Sequence, residues 1–155
     1  SSDLARNGLK TLNLGIESGS NTVMRKMKKG FNREQAEEGL RRIRAAGINT
    51  QLNIIVGFPT ETDEEFEETL EFLSKNRDYI CGFTSVNSCV LLAGSEIARF
   101  PEKFGIQWDE GADMQTEWYV GSQNTPTIRK QRLEAVLRWI DLNGYNTYSS
   151  NKGTC

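Results

Sequence analysis

The sequence contains no histidine. A Ser-His or Cys-His nucleophilic arrangement therefore cannot be assembled from this chain. Cysteine is sparse as well. Cys81, Cys89 and Cys155 follow no ligand spacing, so a zinc or iron site drawn from Cys and His lacks its donors here. The odd, low count fits a reducing cytosol better than a disulfide scaffold, which points to a cytoplasmic protein. No apolar run nears the roughly 20 residues that cross a bilayer. No basic-then-apolar leader opens the chain either, so no membrane association is expected. A net charge of −2 provides no global basic field, and on that ground no nucleic-acid partner is indicated.

What is present reads as a globular domain. The 155 residues suffice for one domain with a real core, and 37% hydrophobic with 26% charged residues is ordinary for such a domain. Asn32 with Gln35 reads as a capping box, and Ala36, Leu40 and Ile43 follow on one helical face until Gly47 stops the helix. Ile48 is placed to make a hydrophobic contact just beyond that end. Thr62 with Glu65 forms a second box ahead of Phe66, Leu70 and Leu73, and Asp63, Glu64 and Glu65 complement the helix dipole. Thr125 caps a last helix with Pro126 at its first position. Leu133, Val136, Leu137 and Ile140 make its stripe and Gly144 ends it.

Strand-like segments fall near 10–16, 50–56 and 83–92, giving the order strand, helix, strand, helix, strand. That alternation predicts parallel strands joined by right-handed crossovers. Residues 105–125 look irregular and aromatic-studded, a loop or lid rather than a core element.

The strands alternate where buried parallel strands usually run continuously apolar. In "TLNLGIESGS", Leu12, Leu14 and Ile16 share one face and Asn13, Gly15 and Glu17 the other. Leu52, Ile54 and Val56 likewise oppose Gln51, Asn53, Ile55 and Gly57, and Ser85, Asn87 and Cys89 oppose Val86 and Val90. Asn13, Asn53 and Asn87 thus fall on one side of adjacent strands. Burying an unpaired amide costs about 1–3 kcal/mol, so such a wall faces water, a ligand or its own members. A concave barrel sheet supplies that wall; a polar layer inside a flat flavodoxin-like sheet is the alternative.

"GIESGSNTVMRKMKKG" (15–30) followed by "AGINTQLNIIVGFPTETDEEFEETLEFL" (46–73) resembles the second half of a radical S-adenosylmethionine (SAM) domain. The resemblance is strong from Leu12 to Leu73 and weaker to Phe104. Within the superfamily it is most similar to enzymes with an upstream cobalamin-binding domain, and to the methylthiotransferase and coproporphyrinogen-oxidase-like groups. It implies an α/β fold, a partial TIM-type (β/α) barrel present as its C-terminal half. About three parallel strands with flanking helices would fill residues 1–104, and an irregular segment and C-terminal helix residues 105–155. The three-cysteine motif that binds the cluster is missing, which implies a fragment of a larger enzyme that is inactive alone.

By the same resemblance, the parent uses a [4Fe–4S] cluster, bound by the missing part, to cleave S-adenosylmethionine and start radical chemistry on a small-molecule substrate, with cobalamin a further cofactor. Glu17 matches the residue facing the SAM ribose, where a carboxylate accepts from two hydroxyls; an ion pair with Arg25 or Lys29 is the structural alternative. Lys29 matches an arginine position near the SAM carboxylate, but lacks the bidentate fork. Asn53 matches an inner polar residue near the ribose or methionyl end. Gly57, Phe58 and Pro59 match the turn on which adenine rests, or form a plain strand-to-helix turn. The remaining basic run, Arg25 to Lys28, is most simply a solvated face, and Met24 and Met27 core packing. Trp108, Trp118 and Tyr119 shield a substrate or pack under a loop. Open strand edges could pair in a homodimer. A non-catalytic α/β module binding a nucleotide or a protein is the competing reading.

Overall fold

The structure, a computed structural model, describes residues 2–145. A short helix α1 (Ser2–Arg6) precedes β1 (Thr11–Glu17), followed by α2 (Asn21–Lys26), α3 (Arg33–Ala45), β2 (Asn49–Val56), α4 (Asp63–Lys75), β3 (Gly82–Ser88), α5 (Glu96–Arg99) and α6 (Pro126–Leu142). The three strands form one parallel sheet in the order β1–β2–β3. The expected half-barrel arrangement of parallel strands and flanking helices is what the chain forms.

The helices begin where side chains can satisfy their first amides. Asn32 and Gln35 close a reciprocal capping box on α3, as Thr62 and Glu65 do on α4. Thr125 Oγ1 accepts from the Ile128 N–H at the start of α6, with Pro126 just inside. Each is a local solution readable from spacing alone.

The two faces of the sheet have different fates. Along β2, Thr50, Leu52, Ile54 and Val56 are buried while Gln51, Asn53 and Ile55 are only half-buried. The buried side joins Ile16 and Phe83 under α3, α4 and α6, where Leu40, Phe72, Leu73, Val136 and Ile140 complete the main core. Parallel partners project to the same face, so the pairings Gly15–Asn53 and Ile55–Asn87 put Asn13, Asn53 and Asn87 together on the other side. That side is the inner one. Asn13 and Asn87 are exposed there.

A second cluster packs at the carboxyl ends of the strands. Val23 of α2 meets Phe58, Cys89, Leu91, Ile106 and Trp118. Residues 105–125 are irregular, as expected, held by single bridges at Gln107–Tyr119 and Val120–Asn124. They are not merely a lid. Ile106 and Trp118 are core residues of this cluster, and Trp118 is fully buried. An indole gains more from burial than from covering a surface, which overrides the irregular pattern of its neighbours. Cys155 and the last ten positions assigned to the C-terminal segment lie outside the described residues.

Candidate functional site

Strict alternation would carry β1 past Glu17 with its side chain over the polar face. The structure reaches that face differently. The β1–β2 register shifts between Gly15 and Glu17, and Glu17 has φ of 68°, a left-handed conformation rare for a residue with a side chain. Backbone strain of about 1–3 kcal/mol at such a position is usual where a side chain has to be aimed. Here it aims a carboxylate back over the strand. Gly15 leaves room for it, because a Cβ there would lie 2.7 Å from Glu17 Oε1.

Glu17 faces a cavity of about 700 Å³ that is also bordered by Lys29, Asn53, Phe58, Ser85 and Asn87. Lys29 Nζ donates to the Gly15 carbonyl at 2.8 Å and to Glu17 Oε1 at 3.2 Å. The ion-pair alternative is therefore present with Lys29, but it engages one carboxylate oxygen. Glu17 Oε2 and Asn53 Oδ1 are buried and have no partner. Native proteins rarely leave such acceptors unmatched without water or a ligand. Both residues border the cavity, and their unmatched acceptors suit a molecule that presents hydroxyl or amino donors.

Phe58 contributes its ring, edge-on to Phe104 at 5.9 Å between centroids. Gly57 and Pro59 are buried behind the cavity. Three of the turn's backbone groups already have protein partners. The Gly57 N–H donates to Glu61 Oε2 at 2.6 Å, and the Gly57 and Phe58 carbonyls accept from Asn124 Nδ2 at 3.2 and 2.8 Å. The expected use of this backbone against a base edge leaves Phe58's side chain as the part that reaches the cavity.

Behind the turn sit three buried groups that the sequence reading missed: Glu61, Arg129 and Arg132. Arg132 donates to Glu61 Oε2 at 3.0 Å and to Asp63 at 2.8 Å. Burial pushes the Glu61 carboxyl up to about 7, against the pull of the Gly57 N–H and of Arg132. Arg129 lies 3.6 Å from the Trp118 ring centroid, and burial lowers its pKa to about 10, which leaves it charged at neutral pH. Cys89 borders the cavity, and burial lifts its thiol to about 12, so it offers no thiolate nucleophile. Among the described residues no group of three or more His, Cys, Asp or Glu could hold a metal ion.

Residues 2–73 match the family described as the radical SAM superfamily. A tRNA-2-methylthio-N(6)-dimethylallyladenosine synthase of Anoxybacillus flavithermus is 40% identical over 89 residues, 55% of this chain and 17% of that protein. The Bacillus subtilis protein of the same name is equally similar, at 40% over 89 residues and again 17% of its length. The chain thus matches only a minor part of these relatives. Among solved structures, Elp3 of Methanocaldococcus infernus with residues 1–46 deleted superposes with a TM-score of 0.58 at 14% identity, over 94% of this chain and 39% of that one. That likeness concerns the fold.

The radical SAM relatives correct one expectation and leave another without support. "No nucleic acid" is overturned, because the named relatives modify tRNA. The physical flaw was to read partners from a net charge: −2 is a sum over the surface and hides local patches such as the exposed Arg25, Lys26 and Lys28. The cobalamin association gains nothing from these relatives. No described helix is long and apolar enough to cross a membrane.

Proposed function

We propose that this chain supplies the cofactor-facing wall of a radical SAM enzyme. The observation that carries the reading is that two residues bordering one cavity, Glu17 and Asn53, each hold a buried acceptor without a partner, Oε2 and Oδ1. Glu17 would accept from the ribose hydroxyls and Asn53 from the ribose or the methionyl amine, while the Phe58 ring would flank the adenine. Lys29 would do two things: hold Glu17 Oε1 so that Oε2 stays turned inward, and offset the negative charge of the methionyl carboxylate. S-adenosylmethionine, when bound with a reduced [4Fe–4S] cluster, supplies the radical chemistry. The described residues fit the first of these and offer no three-ligand set for the second, so the role assigned to this chain is to bind, orient and exclude water.

The radical SAM relatives named above make tRNA the substrate class to test first. The exposed Lys26 and Lys28 border the cavity and would meet phosphates, and Lys28 is ion-paired with Glu96 of α5 across the cavity's border. A cytoplasmic location follows from that reading. The decisive experiment reconstitutes the full-length protein anaerobically with iron and sulfide and follows 5′-deoxyadenosine with and without total tRNA. Formation of deoxyadenosine that tRNA stimulates is expected. Absence of deoxyadenosine from protein with a full cluster complement would overturn the enzyme reading; tRNA-independent formation would overturn the substrate.

A further inference from the structure

We infer that Arg129 and Asn124 act as a relay that positions the Gly57–Phe58 peptide for the adenosyl ligand, although neither side chain lines the cavity itself. The inference rests on the cofactor reading above and adds residues beyond the superfamily match, which ends at residue 73.

The chemistry of the pair fixes its orientation. A guanidinium can only donate. Arg129 NH1 donates to Asn124 Oδ1 at 3.0 Å, so the amide nitrogen of Asn124 is the end that faces the two carbonyls of Gly57 and Phe58. Without that donor, either end of the amide could face the turn, and one end would set oxygen against two oxygens. Arg129 is itself held from all sides. NH2 donates to the Thr116 and Trp118 carbonyls at 2.9 and 2.7 Å, and the Trp118 ring covers its face.

The stem of Arg129 adds a steric clamp. Gly57 has φ of 75°, and a Cβ there would lie 2.7 Å from Arg129 Cδ. Glycine is therefore required at 57 by α6, behind the cavity, as well as by the backbone conformation. On the preceding peptide, Val56–Gly57, Glu61 holds the Gly57 N–H and Arg132 holds Glu61. The turn is pinned at the Gly57 N–H by Glu61 and at two carbonyls by Asn124, each held in turn by an arginine of α6. Phe58 is the residue whose place depends on both.

The test uses the full-length protein, with S-adenosylhomocysteine and adenosine as non-cleavable probes in calorimetric titrations. Loss of the hydrogen bonds that fix a binding element typically weakens affinity by about tenfold. Asn124→Ala and Arg129→Ala are each expected to weaken both probes to that extent. The double variant is expected to lose no more than either single one, because the two act in series. Arg129→Lys, which retains the stem and one donor, is expected to recover part of the loss.

Merely partial folding would lower the number of sites per protein and leave affinity unchanged, and that result overturns the inference. Wild-type affinity in Asn124→Ala, or additive losses in the double variant, overturns it too. Should Arg129→Ala fail to fold, Asn124→Ala and Arg129→Lys decide. A wild-type protein that binds neither probe would overturn the cofactor reading together with this one.

Discussion

At the scale of single residues, the site depends on how one carboxylate is aimed. Glu17 sits in a left-handed conformation, curls over Gly15 and gives one oxygen to Lys29. Gly15→Ala is expected to push that carboxylate aside and weaken S-adenosylhomocysteine binding at least tenfold by the loss of about one good hydrogen bond. Its melting midpoint should shift little, because the inner face is open. Equal affinity would mean that Glu17 is only an ion-pair partner. Cys89 allows a second check. With its thiol buried and pushed up to about 12, it should resist iodoacetamide near pH 8 until the protein is unfolded, as mass spectrometry of the modified peptides would show. Rapid labelling of the native protein would show that the second cluster opens readily.

The elements show where sequence reading succeeded and why it stopped. Asn32–Gln35, Thr62–Glu65 and Thr125–Pro126 marked three helix starts because a cap is a contact between near neighbours. The alternation in β2 showed its two faces for the same reason. The bulge at Glu17 was not legible, since the polar pattern looks the same whether a strand alternates or twists at its end. Nor were Arg129 and Arg132, because charged helical residues are normally solvated. A signal was there: 129, 132, 136 and 140 are spaced at 3, 4 and 4, so the apolar stripe of α6 continues into two arginines. The anion that answers them, Glu61, belongs to the turn before α4. Its carboxyl titrates near 7 in the folded protein against an ordinary 4.5. A raised acid pKa means that Glu61 favours the folded state fully below about 4.5 and that this share is lost as pH rises through about 7, a difference of roughly 3 kcal/mol. Urea unfolding followed across that interval should show stability declining with pH. Glu61→Gln should flatten the decline; an unchanged slope would assign it to other groups.

For the whole molecule, two packed clusters meet at a sheet whose central strand serves both. Leu52, Ile54 and Val56 of β2 are fully buried and lie under three helices, so their amides should exchange with deuterium most slowly. Residues 105–124, tied by single bridges and side chains, should exchange sooner and gain protection when S-adenosylhomocysteine binds, through Asn124 and Arg129. Protection confined to the strands would disconnect that segment from the site. Among the described residues nothing pairs with the outer edge of β1 or of β3, which leaves room for further strands or a second copy.

The buried arginines also bear on how this polypeptide can be shortened. Cutting it back to residue 73, or just short of α6, would take Arg132 away from Glu61 and strip Val136 and Ile140 from the main core, uncovering the apolar face of the sheet. Trimmed versions chosen from alignment limits alone should therefore come out of expression as inclusion bodies, and the smallest usable piece has to run on through Leu142.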